Sequence, residues 1–148
     1  MCSTFYIPFG IAKCFPVQHF INVLAGITLG PKYAVSMAFI TSLIRNMLGT
    51  GSLLAFPGSM FGALLCAILF KYTKNTIAAF VGEVVGTGII GAICAYFVAT
   101  LIMSKEAALF TFVIPFGIST LVGASVSLIF ITAMKKTGIL NKINAEAK

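Results

Sequence analysis

The sequence predicts an all-α membrane protein: one bundle of five membrane helices behind a short N-terminal stub. Three observations carry this. Hydrophobic residues make up 59% of the 148 and charged residues only 9%, with a mean hydropathy of +1.08, whereas an ordinary globular domain carries about 25% charged residues. The apolar residues fall in long runs parted by Gly, Pro and polar breaks, as membrane helices require. The ten Lys and Arg, which leave a net charge of +7, sit at the ends of those runs and not among aromatics on a polar surface. Charge placed this way is a topology signal, and it argues against nucleic-acid binding.

The elements follow in order. Residues 1–16, broken by Pro8, Gly10 and Pro16, are too short to span a bilayer, which needs about 20 apolar residues. They are expected to form an outer stub or loop. No basic segment followed by an apolar core opens the chain, so no cleavable signal peptide is expected. The first helix is expected over 17–29, ended by Gly30-Pro31; it would cover only ~20 Å and would need help from its neighbours. The second is expected over 32–48. The third is expected over 57–72, with Pro57 at its first position, where a missing N–H costs nothing. The fourth, 76–103, would be roughly 40 Å long and must tilt or bend, most easily at Gly82, Gly86, Gly88 or Gly91. The fifth is expected over 108–134, before a basic tail over 135–148. The pentapeptide IPFGI occurs at both Ile7–Ile11 and Ile114–Ile118, without the extension a duplication would show.

With the tail in the cytoplasm, that side holds Lys32, Lys71, Lys74, Lys135, Lys136, Lys142 and Lys148, and the outer side only Lys13, Arg45 and Lys105. The positive-inside rule favours this orientation. It places the 1–16 segment and the break after Arg45 together on the outer side of a plasma-membrane protein.

Polar and ionisable residues at bilayer depth are costly and mark a functional path by default. Here they are Arg45, Glu83 and the group Gln18, His19 and Asn22. Gln18/Asn22 and His19/Asn22 are four and three apart, so each pair shares a helix face. Glu83 has Gly86, Thr87, Ile90, Gly91 and Cys94 at helical spacing behind it. Glu83 either meets a ligand or sits in the bundle as an ion pair with Arg45 or as a neutral acid. The break RNMLGTGSLLAFPGSMFG, from Arg45 to Gly62, offers Asn46, Thr50, Ser52 and Ser59, backbone amides at Gly49 and Gly51, and the ring of Phe56. Irregular backbone at this depth survives only against protein or a water-filled cavity. The set suits a small, mostly neutral aromatic ligand in a site that is largely apolar with a few placed polar groups. The plainer reading is an outer hairpin loop.

Stripes of small residues recur: Gly58/Gly62/Cys66, Ser59/Ala63/Ala67 and Ser119/Thr120/Gly123/Ser127. Such stripes pack helices together, within the bundle or against a partner. Cys2, Cys14, Cys66 and Cys94 form no CxxC or Cys/His cluster, so no zinc site is expected; Cys14 either lines a site or is an idle thiol. GTGS lacks the Gly-Lys-Ser/Thr of a phosphate-binding loop. One His and three acids supply no catalytic set, so no enzyme and no cofactor are expected. A transporter of this size needs a gradient or a separate energy-supplying subunit.

The runs AKCFPVQHFINVLAGITLGPKYAV (12–35), RNMLGTGSLLAFPGSMFGALL (45–65) and GEVVGTGIIGAICAY (82–96) resemble the ThiW family, over nearly the whole chain. The resemblance implies the bundle of a substrate-binding S component of an energy-coupling-factor (ECF) vitamin transporter, normally six transmembrane helices. Family members begin with a full membrane helix, where this chain has only the stub of residues 1 to about 9. The implied ligand is the thiazole moiety of thiamin, hydroxyethylthiazole, bound near the outer face. The implied partners are a transmembrane coupling protein and two cytoplasmic ATPases, which would hydrolyse the ATP. The site expected from both lines comprises Gln18, His19, Asn22, Arg45, Asn46, Thr50, Ser52, Phe56, Glu83 and Thr87, with the thiazole ring against Phe56. The alternatives are another thiamin-related or small vitamin ligand, and a small intramembrane enzyme or assembly protein.

Overall fold

The computed structural model describes residues 7–9, 12–14, 16–104, 106 and 108–138. Cys2, Lys105 and the tail lysines Lys142 and Lys148 lie outside them. The chain is an all-α membrane protein with one small hairpin. Strands β1 (Ile7–Phe9) and β2 (Ala12–Cys14) pair antiparallel, with Pro8 opposite Lys13. Helices α1 (Pro16–Thr28), α2 (Pro31–Met47) and α3 (Ala55–Thr73) follow. A continuous helical run then comprises α4 (Thr76–Val85), a π segment Gly86–Gly91, α5 (Ala92–Phe97) and a second π segment Val98–Ile102. The last helix is α6 (Val113–Lys136), and β2 lies beside it. Among the described residues, three helical runs are long and apolar enough to cross a membrane: Ala55–Thr73, Thr76–Ile102 and Val113–Lys136.

Local chemistry sets the ends. Pro16 and Pro31 open α1 and α2, where their fixed φ suits a first turn. Gly30, at φ +85°, turns the chain between these two helices. At the end of α2 the Arg45 carbonyl accepts the N–H groups of Thr50 and Gly51 at 3.0 and 2.9 Å, with Gly49 left-handed at φ +71°. This is the usual way a helix satisfies its orphan carbonyls. The third helix starts two residues before Pro57, at Ala55. Asn75 caps α4 by accepting from the Ile77 N–H at 2.9 Å, as N-cap residues do. The last helix starts later than 108 because 109–112 form turns, in which Thr111 accepts from the Ala108 N–H at 3.0 Å.

Small residues decide the packing. Gly82, Gly86 and Gly91 face α3 so closely that a Cβ on each would lie 2.9 Å from Cys66 Cα, 2.8 Å from Gly62 Cα and 2.5 Å from Gly58 Cα respectively. The Gly58/Gly62/Cys66 stripe is thus an internal surface. The other two stripes are internal as well. Ala63 and Ala67 join Ala25, Ala34 and Ala38 in one cluster between α1, α2 and α3. Gly123 is seated against Pro16 and His19 of α1. In lipid such close approach is what holds helices together.

The two π segments have a geometric consequence. Positions four apart drift around an α-helix, which has 3.6 residues per turn. The wider i→i+5 turns of a π segment offset that drift. Glu83, Thr87, Gly91, Ala95 and Ala99 therefore all remain buried along one face, while Ile90 is turned outward.

The core has two apolar layers with a polar one between. Leu54, Ala92, Ala95, Ala99, Phe112 and Phe116 close the end near the Arg45 break. Val23, Ile27, Cys66, Ala79, Ala124 and Ile131 fill the other end. That second end also carries the lysines of the helices. Lys32 heads α2, Lys71 and Lys74 end α3, and the Lys135 ammonium of α6 reaches the Thr76 hydroxyl at the start of α4.

Candidate functional site

The layer between the two apolar clusters is built from α1, α2, α3, the run that begins with α4, and α6. Its centre is Glu83, with no exposed surface. A carboxyl at this depth costs several kcal/mol unless hydrogen bonds compensate. Three groups converge on Oε1: His19 Nδ1 at 2.8 Å, Asn22 Nδ2 at 3.1 Å and Thr87 Oγ1 at 3.3 Å. Oε2 has no hydrogen-bond partner among the described residues. Asn22 spends its second N–H on the Ser59 carbonyl at 3.2 Å. Thr87 also reaches the Gly58 carbonyl at 3.1 Å, so its single hydroxyl hydrogen lies between two acceptors.

A second chain of hydrogen bonds runs alongside. Gln18 Nε2 donates to Ser42 Oγ at 3.0 Å, Ser42 and Ser59 hydroxyls are 2.9 Å apart, and Ser59 Oγ donates to the Ala55 carbonyl at 2.8 Å. With Ser59 donating to Ala55, Ser42 is left to donate to Ser59 and accept from Gln18. Both hydroxyl protons in the chain are thereby assigned. This ties α1, α2 and α3 together across an otherwise apolar interface.

The two networks border a cavity of about 30 Å³ lined by Gln18, His19, Arg45, Ala55, Gly58, Ser59, Thr87, Phe116 and Ser119. That is room for about one water, while small-molecule pockets start at about 300 Å³. The form described is closed. Arg45 is buried and stands on the same wall as His19 and Thr87, the two cavity residues hydrogen-bonded to Glu83. In the neutral tautomer whose Nδ1–H donates to Glu83, His19 Nε2 is an acceptor nitrogen.

Six of the ten residues expected from the sequence come together here: Gln18, His19, Asn22, Arg45, Glu83 and Thr87. Of these, Gln18, His19, Arg45 and Thr87 line the cavity, and Asn22 and Glu83 adjoin it through their hydrogen bonds; the other four neither line it nor join the Glu83 contacts. Asn46 braces the break, donating to the Ser42 and Ser52 carbonyls at 2.8 and 3.1 Å. Ser52 enters through that carbonyl. Thr50 caps α2 through the Arg45 carbonyl at 3.3 Å. The Phe56 ring packs on Phe39, centroids 5.5 Å apart, and the aromatic wall of the cavity is instead Phe116. Ser42, Ser119 and Phe116 were not singled out as ligand contacts by the sequence. Ser119 belonged only to a small-residue stripe, and Ser42 and Phe116 carry no mark distinguishing them from other residues of membrane helices.

The family model for the thiamine-precursor transporter protein (ThiW) matches residues 1–137. No curated protein and no solved structure gives a significant match. The match spans nearly the whole chain, and the chain belongs to the ThiW family.

Proposed function

We propose that this thiamine-precursor transporter acts as the substrate-binding component of an ECF-type transporter and that its ligand is the thiazole precursor, hydroxyethylthiazole. The ligand sits where the 30 Å³ cavity now is, enlarged by parting of the outer ends of the helices. The observation that carries this is the buried Glu83–His19 pair beside an aromatic wall. A thiazole ring is flat and apolar, and Phe116 offers it a face. Its ring nitrogen only accepts, and the Gln18 amide, the Ser119 hydroxyl and the Arg45 guanidinium are donors on the lining. Its hydroxyl donates, and His19 Nε2 is an acceptor when Nδ1 serves Glu83. Asn46, Thr50 and Ser52 keep the break closed over the site, and Phe56 supports it through Phe39. The basic end faces the cytoplasm, which leaves the cavity nearer the outer face. Energy comes from a transmembrane coupling protein and two ATPases.

Radiolabelled hydroxyethylthiazole and purified full chain in nanodiscs test the ligand. Saturable binding is expected, displaced by unlabelled thiazole and poorly by the hydroxymethyl pyrimidine moiety. Absence of saturable binding, or a preference for the pyrimidine, overturns the thiazole assignment. Co-purification with the coupling protein and ATPases from co-expressing cells tests the assembly separately.

A further inference from the structure

A second cavity, of about 470 Å³, lies at the opposite end of the bundle from the Glu83 site. Its floor is apolar, formed by Ile27, Leu29, Ala67 and Phe70, and Lys71 and Lys74 stand on its rim. Both lysines are exposed, and no acidic side chain lines the cavity. We propose that this cavity holds the headgroup phosphate of an anionic phospholipid, with Lys71 and Lys74 as its cationic wall and the apolar floor under the upper acyl carbons.

Three observations favour a lipid. First, the turn that carries the lysines is fixed. The Lys74 N–H bonds the Phe70 carbonyl at 2.8 Å, Thr73 Oγ1 accepts from the Asn75 N–H at 3.2 Å, and Lys74 is left-handed at φ 55°. The backbone from which the two lysines extend is therefore a defined corner. Second, Tyr33 and Tyr72 flank this end and are 67% and 79% exposed. Exposed Tyr in a membrane protein sits at headgroup level, so the cavity opens where phosphates are. Third, Lys32, Lys135 and Lys136 surround the same end, and clustered lysines beside membrane helices attract anionic lipid at the cytoplasmic leaflet. The floor distinguishes a lipid from free phosphate, which has no use for Ile27, Leu29 and Phe70.

Native mass spectrometry of the detergent-solubilised full chain provides the test, with phosphatidylglycerol, phosphatidylcholine and inorganic phosphate as separate probes. One phosphatidylglycerol per chain is expected to be retained in preference to phosphatidylcholine. Each interfacial lysine contributes about fivefold in affinity and two contribute about thirtyfold. Lys71→Gln with Lys74→Gly should therefore lower phosphatidylglycerol affinity about thirtyfold. Lys74→Gly suits the left-handed position better than lysine does, so loss of fold does not explain the effect; an unchanged melting midpoint checks this. Lys136→Gln, outside the cavity, should change affinity fivefold at most. Equal retention of the two lipids, retention unaffected by the double variant, or displacement by millimolar inorganic phosphate would each overturn the proposal. None of these outcomes depends on the ligand bound at the Glu83 site.

Discussion

His19 Nδ1 lies 2.8 Å from Glu83 Oε1 across 64 residues of sequence, inside a bundle that is otherwise apolar. The contact joins α1 to α4, and both residues are closed off from solvent. A buried pair of this kind is weak evidence for stability but strong evidence for sensitivity, because removing one partner strands the other. His19→Ala is expected to cost about 3–5 kcal/mol, read as a lowered melting midpoint in detergent. Glu83→Gln keeps the shape but replaces a carboxyl that meets His19, Asn22 and Thr87 with an amide; ligand affinity should fall about tenfold or more. With stability as the common readout, the losses of the two single variants should fail to add in the double variant by about 0.5–3 kcal/mol. Strict additivity would show that the two side chains act independently.

Gly62 faces the same carboxyl from α3. A Cβ there would overlap Thr87 Oγ1 and stand 2.9 Å from Glu83 Oε1. Gly62→Ala should therefore destabilise the protein by about 1–3 kcal/mol, the usual cost of overpacking, and abolish ligand binding. Thr87→Ala should restore part of the lost stability, because it removes the atom in collision. Gly117→Ala is the control, with nothing within 4 Å of the added carbon; relieving a helical glycine should stabilise by up to about 1 kcal/mol. Gly62→Ala with wild-type stability would contradict the packing described.

Much of this arrangement was legible in the sequence because polarity is rare in the chain. Gln18, His19, Asn22, Glu83 and Thr87 stand out against apolar helices, and burial without partners would be too costly to survive. Their meeting in two adjoining networks follows from that cost. Apolar contacts were less legible. Lipid and core are equally greasy, so hydrophobic periodicity does not say which of fourteen Phe turns inward, and Phe56 was favoured where Phe116 lines the cavity. The π segments have no sequence signature, yet they rotate Ile90 out of the face shared by Glu83 and Thr87. The repeated IPFGI shows how far context overrides local sequence, since Ile7–Phe9 is a strand and its second copy lies in α6.

The Gln18–Ser42–Ser59 chain makes a separate prediction. Ser42 is buried and links α1 to α3 through one hydroxyl. Ser42→Ala removes that hydroxyl and leaves the Gln18 amide without its acceptor, at about 1–3 kcal/mol. Ser42→Thr keeps the hydroxyl and should retain more stability than alanine. Thermal melts of the two variants in one detergent compare them directly, and equal loss in both would mean that volume, not the hydrogen bond, governs the position.

The aromatic wall separates the two phenylalanines by function. Phe116 is 8% exposed and lines the cavity; its ring edge lies 2.9 Å from where a Cβ on Gly58 would be. Phe56 packs against Phe39 with the rings tilted and reaches no other part of the site among the contacts described. Phe116→Leu keeps most of the buried volume and removes the flat face, so ligand affinity should fall about three- to tenfold, the value of one aromatic pair, while the melting midpoint shifts little. Phe56→Leu should leave affinity within about twofold and weaken only the Phe39 contact. Equilibrium binding of labelled hydroxyethylthiazole to the two variants decides between them. A larger loss from Phe56→Leu would return the ring to the break after Arg45 and move the ligand out of the cavity beside Glu83.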